Sequence, residues 1–72
     1  MKDTNLMKFG IRVRKERHQL GLSQEGLAEK VGVHRTYVGM IERGEKNITL
    51  LNIKKIAHAF DLKMHELLND LD

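Results

Sequence analysis

The chain has 72 residues, and thirteen Lys and Arg against ten Asp and Glu give it a net charge of +3. A chain this short buries only about 60% of the surface its unfolded form exposes, so one small domain over 1–72 is expected, and a binding module rather than an enzyme. It has no cysteine and no proline, and its aromatic residues are Phe9, Tyr37 and Phe60. Disulfide frameworks and thiolate metal sites are therefore excluded, and helices are favoured over a β-sandwich.

Apolar periodicity predicts five helices. The first runs from about Thr4 to Leu20, with Leu6, Phe9, Val13, Arg17 and Leu20 on one face, and Gly21 is placed to end it. The second starts at the N-cap candidate Ser23 and runs to Val31, with Leu27, Ala28 and Val31 inward. A capping box would want Glu or Gln at its third position, where this chain has Gly26, so the cap is half made. Gly32 can take the positive φ of a sharp turn, and Val33 plugs that turn from inside. The third helix, about Arg35 to Arg43, follows His34 as its cap and stops at Gly44. Thr49 is the N-cap candidate of a fourth helix carrying Ile53, Ile56, Ala57 and Phe60 at amphipathic spacing. A fifth, about Lys63 to Leu71, repeats that spacing with Met64, Leu67, Leu68 and Leu71.

Residues 23–43 thus read as helix, glycine-containing turn and helix, the helix-turn-helix arrangement. The run Leu22-Ser23-Gln24-Glu25-Gly26-Leu27-Ala28, then Val31-Gly32-Val33, then Ile41-Glu42-Arg43-Gly44, resembles the lambda-repressor-like (Cro/repressor) helix-turn-helix family over about residues 9–68. The stretch His34-Arg35-Thr36-Tyr37-Val38, with Asn47 and the short length, is similar to the controller proteins of restriction–modification systems. The resemblance implies an all-α, five-helix, sequence-specific DNA-binding regulator that binds its own promoter region. It also implies that Arg17 pairs with Glu42, tying the first helix to the recognition helix. Related readings are a phage-type repressor, an antitoxin, or, in another class, a protein–protein adaptor on the same fold.

At about 100° per residue from Arg35, the side chains of Tyr37, Val38 and Ile41 cluster near 200–300°, the core side. Arg35, Thr36, Gly39, Met40 and Arg43 fall on the opposite side, which would face the major groove. Arg35 is the leading base reader, because an arginine can donate two parallel hydrogen bonds to guanine O6 and N7. Thr36 offers a methyl and a hydroxyl. Gly39 offers close backbone approach, and Met40 either touches a thymine methyl or edges the core. Phosphate contacts are expected from Ser23 and Gln24 at the second helix's N-terminus, and from Arg43, Lys46 and Asn47 after the third. Tyr37 flanks the core, its ring expected buried and its hydroxyl reaching a phosphate. Lys8, Arg12, Arg14 and Lys15 read as a solvated face. Residues 1–46 carry ten basic and six acidic side chains (+4), against three and four (−1) in 47–72, so one face is expected to meet a polyanion.

His18, His34, His58 and His65 fall in no ligand spacing, and no phosphate-cradling loop or nucleophile with a base is present. No cofactor, metal or catalytic residue is expected. No apolar run approaches the ~18 residues of a membrane span, and no signal-peptide stretch opens the chain, so a cytoplasmic protein with no membrane partner is expected. So small a reader calls for a homodimer on a pseudo-palindromic double-stranded operator with half-sites roughly 34 Å apart. The expected interface is Phe60, Met64, Leu67, Leu68 and Leu71, with help from the fourth helix. Activation would need contact with RNA polymerase, for which Glu25 and Glu29 are candidates by position.

Overall fold

A helix needs its first N–H groups satisfied, and the caps in this chain set where its helices begin. The computed structural model describes residues 3–72 and has five helices: α1 (Thr4–Gln19), α2 (Gln24–Val31), α3 (Arg35–Glu42), α4 (Leu50–Ala59) and α5 (Met64–Leu67). No strand occurs among the described residues. Asp3, which sequence reading passed over, accepts from the N–H groups of Asn5 and Leu6 and opens α1. Ser23 Oγ accepts from Gly26 N–H, and Thr49 Oγ1 from Asn52 N–H. His34 Nδ1 accepts from Thr36 N–H at 3.1 Å and so caps α3.

The turn between α2 and α3 closes at Gly32, where φ is +87° and the N–H groups of Gly32 and Val33 both reach Ala28 C=O. A side chain there would be strained by the backbone itself. The end of α4 makes a like turn without glycine. Asp61 takes φ +57°, and Leu62 N–H returns to Ala57 C=O at 2.8 Å. Asp is among the few non-glycine residues that tolerate this region. Phe9, Val13, Leu27, Ala28, Val38, Ile41, Ile56, Ala57 and Leu67 fill the centre. Leu20, expected on the core face of α1, is exposed instead, because it caps the helix and Leu22 turns inward in its place.

Two expectations need correction at the C-terminal end. The fifth helix stops at Leu67 and not near Leu71. Beyond it, Asn69 and Asp70 turn back to α1, as short polar side chains that compete with helical hydrogen bonding tend to do. Arg12 Nη1 donates to Asn69 Oδ1 at 3.0 Å and lies 3.7 Å from Asp70, while Lys8 lies 3.6 Å from Asp72. Arg12 and Lys8 are thus not a purely solvated face. The side chain of Arg12 is only 16% exposed and holds the chain end onto α1.

Candidate nucleic-acid interface

The inward side of α3 is fixed by close backbone approach and by one ion pair. Gly10 on α1 is buried, and a Cβ there would run into the backbone carbonyl oxygens of Ile41 and Glu42. That proximity lets Arg17 span from α1 to the end of α3. Its Nε donates to Glu42 Oε2 at 2.6 Å, its Nη2 to Oε1 at 3.0 Å, and its Nη1 to Leu22 C=O at 2.9 Å. Gln24 Nε2 donates to the same carboxylate at 3.2 Å, and Arg14 Nε lies 3.7 Å away. The Glu42 side chain is 2% exposed. Burial alone would raise its pKa, but hydrogen bonds from Arg17 and Gln24 and the positive charge of Arg17 and Arg14 outweigh that, holding the carboxyl below its ordinary range. The hydrogen bond from Glu42 correspondingly raises Arg17 against the opposing effect of burial. One carboxylate therefore joins α1, α2 and α3.

The outward side of α3 is open. Arg35 stands at the helix start with its side chain 68% exposed, its Nη1 only loosely near Glu25 at 3.9 Å. Thr36 beside it is exposed. Gln24, Arg35, Thr36, Gly39 and Arg43 line an open hollow of about 310 Å³. Gly39 is the position expected to offer close backbone approach to a groove. It is buried as the floor of this hollow, because Arg43 Nη1 lies 3.1 Å and Gln24 Oε1 3.5 Å from where its Cβ would be. Arg43 Nε donates to Glu45 Oε1 at 3.1 Å. Met40 is half-buried.

The other candidates surround this face. Ser23 and Gln24 sit at the start of α2, where the Gln24 side chain is already engaged by Glu42 and its backbone remains at the helix's positive end. Tyr37 packs half-buried against the core, and its hydroxyl accepts from Asn52 Nδ2 at 3.0 Å, which leaves the hydroxyl proton available to an outside acceptor. Lys46 Nζ stands 6.0 Å from the Tyr37 ring centre, and Lys46 and Asn47 are exposed on the loop that follows α3. Asn52 was missed by sequence reading. Its signal was a polar residue interrupting the apolar run Leu50-Leu51-Asn52-Ile53 on a helix whose cap needs only its backbone N–H.

Part of the expected dimer face is withdrawn into the chain's own interior. Phe60 and Leu67 are buried in the chain's own core, while Met64, Leu68 and Leu71 are half-buried against it. Of the exposed large apolar side chains, Met7, Ile11 and Leu20 belong to α1 and its cap, while Leu50 at 72% and Leu51 at 59% adjoin each other at the start of α4. No helix among the described residues is long and apolar enough to cross a membrane.

Residues 13–67 match the helix-turn-helix family. The control protein C.MunI of a Mycoplasma species is 34% identical over 67 residues, covering 92% of this chain and 90% of that protein. Among solved structures, the restriction–modification controller protein C.AhdI from Aeromonas hydrophila superimposes with a TM-score of 0.86 at 49% identity, over 90% of this chain and 98% of that one. The biofilm regulator SinR, solved in complex with DNA, matches with a TM-score of 0.78 at 34% identity, over 83% of this chain and 97% of that one. With its turn at Gly32, its recognition helix open on one side and these relatives, the chain belongs to the Cro/repressor-type helix-turn-helix family of DNA-binding transcription regulators.

Proposed function

We propose that this protein is the controller of a restriction–modification system, binding double-stranded DNA at its own promoter region as a homodimer. The observation that carries the reading is the two-sidedness of α3, locked to α1 and α2 on one side and presenting Arg35 and Thr36 on the other. Arg35 donates to a guanine edge, and Thr36 contacts a base through its methyl or hydroxyl. Backbone N–H groups at the start of α2, beside Ser23 and Gln24, receive one phosphate. Lys46, Asn47 and the Tyr37 hydroxyl receive others along the groove. The likeness to C.AhdI and C.MunI, both controllers by name, supports the subfamily.

Two copies pair through the exposed leucines at the start of α4 and not through Phe60 and Leu67. Pairing covers apolar surface that a soluble monomer leaves wet and sets two recognition helices on successive turns of one groove face. Glu29, exposed on α2, is a candidate contact for RNA polymerase. Glu25 is less suited, since it neighbours Arg35.

The test is titration of the purified protein against the duplex upstream of its own gene and a scrambled duplex, across a salt series. The expected result is two copies per site and tight binding to the first duplex. Affinity should fall by about 0.9 log units per phosphate contact for each log unit of salt. Arg35→Ala should cost ~1–3 kcal/mol and relax one base pair of each half-site. Lys46→Ala should weaken all sequences alike, and Leu50→Glu should yield a folded monomer. Absence of duplex binding at low salt would sink the reading and favour a protein–protein adaptor.

A further inference from the structure

A helical side chain leans toward its own N-terminus and covers the residue four positions earlier. Arg43 therefore lies over Gly39, and Arg35, Gly39 and Arg43 form one stripe along the outer face of α3. Any side chain at 39 would occupy the middle of that stripe, one turn beyond Arg35. The glycine leaves the position vacant, and the Arg43 head enters it, with Nη1 3.1 Å from the absent Cβ. The Glu45 carboxylate holds Nε at 3.1 Å and so orients the guanidinium plane. The result is a hollow of about 310 Å³ with Arg35 and Thr36 at one end, Arg43 at the other and Gly39 as its floor. Such a planar fork, oriented and facing a recess of base-edge size, suits bidentate hydrogen bonding better than contact with a round phosphate charge.

We propose that Arg43 reads a second base pair, taking through the Gly39 vacancy the place that a side chain at 39 would otherwise hold, and that Glu45 positions it. This inference rests on the DNA-binding reading above and replaces the expectation that Arg43 contacts phosphate. Arg35 and Arg43, some two helical turns apart on α3, would each face the acceptor edge of a guanine at separate positions along the groove. Residue 39 then acts on specificity by what it lacks.

The experiment is selection from a randomised duplex library by the wild-type protein and by Arg35→Ala, Arg43→Ala, Arg43→Lys and Gly39→Ala. Arg43→Lys keeps the charge and loses the fork, so it separates reading from attraction. Gly39→Ala adds only the methyl that meets Nη1, the far end of a flexible side chain, so the helix itself is undisturbed. Both Arg43 variants should flatten the preference at one base pair per half-site by about tenfold or more, at a position distinct from the one that Arg35→Ala flattens. Gly39→Ala should change the preference at that same second pair. The proposal is overturned if Arg43→Ala lowers affinity for every sequence by one factor with the profile unchanged. It is equally overturned if Arg43→Lys or Gly39→Ala leaves that base pair's preference intact. Wild-type protein that enriches no sequence at all would instead remove the DNA-reading proposal beneath it.

Discussion

Gly10 and Gly39 are both buried glycines within helices, yet they serve opposite ends. At Gly10 the missing side chain lets two backbones meet, and what a Cβ would strike is carbonyl oxygen, which cannot move aside. At Gly39 the neighbours are the tips of Arg43 and Gln24, which can. The first vacancy makes a joint between α1 and α3, and the second leaves a flexible cation room on the outer face. The same contrast runs through the charges. Glu42 is held by two hydrogen bonds from Arg17 and one from Gln24, whereas Arg35 has only a loose neighbour in Glu25. A recognition helix has to be rigid relative to its scaffold and unsatisfied toward its target, and α3 is both because its two sides differ.

The sharpest way to break this comparison is to open the joint. Removing one partner of a buried ion pair leaves the other charge stranded, at about 3–5 kcal/mol. A domain of this size has only on the order of 0.05–0.15 kcal/mol per residue in hand. Arg17→Ala should therefore show a large fall in melting temperature and lose binding because it unfolds. It strands the Leu22 carbonyl as well as Glu42. The double variant Arg17→Met/Glu42→Met should recover much of that loss, since no charge is left buried. A double variant no more stable than Arg17→Ala would show that backbone contact at Gly10, and not the charge, carries the joint.

Gly10→Ala tests that contact directly. Alanine is the better helix former by about 1 kcal/mol, so an isolated α1 would gain. Here the methyl meets carbonyl oxygens of α3, and overpacking of this kind typically costs about 1–3 kcal/mol. The expected net effect is destabilisation in urea unfolding, smaller than that of Arg17→Ala. A neutral result would mean that α1 and α3 can slide apart without penalty.

Acid should loosen the same joint more gently. Glu42 has a folded pKa below its ordinary 4.5, so its contribution is fully present above that value, declines as pH falls through it, and is gone once pH passes below the folded value. Arg17, raised by its hydrogen bond to Glu42, stays charged throughout and adds no slope at neutral or acid pH. Stability measured from pH 7 to pH 3 should show this acid loss. In Glu42→Gln, less stable at neutral pH, the part of the slope belonging to this carboxyl should vanish.

How far the sequence announced this molecule depends on the range of each interaction. Ser23, His34 and Thr49 were legible as caps because capping is settled within three residues. Gly32 was legible because a positive φ is a local demand. The inward set of α3 followed from its helical period. What could not be read were contacts made across the chain. Nothing near Gly10 in the sequence says that α3 passes against it. Nothing near Arg12 says that Asn69 and Asp70 return to it. Phe60 and Leu67 had the right apolar spacing, but spacing alone cannot say whether a leucine completes its own core or a partner's. The exposed pair Leu50 and Leu51 sits at a helix start, off the main stripe, where periodicity gives least guidance. For Gly39 the sequence showed the vacancy but not its occupant, which depends on the rotamer of a residue one turn later.

The smallest expected effect sharpens the comparison from a third glycine. Gly26 lies at the third position of α2, where Ser23 Oγ accepts its N–H at 2.9 Å and a Cβ would lie 3.3 Å from that oxygen. This spacing is tight but tolerable, since a serine-capped helix ordinarily carries a side chain at that position. α5 has the complementary half of such a cap, with Glu66 Oε1 accepting Lys63 N–H at 2.8 Å. Gly26→Ala should therefore stabilise the fold, by about 0.5–1 kcal/mol of helix propensity. Gly26→Glu should stabilise further, because its carboxylate can close the box on Ser23 N–H and meet the positive end of α2. That end is also where a phosphate is proposed to bind, so the glutamate should weaken duplex binding relative to the alanine variant, most of all at low salt. If both variants melt higher and bind DNA equally well, the start of α2 does not approach the duplex, and the phosphate contact assigned to it falls while the base contacts of α3 stand.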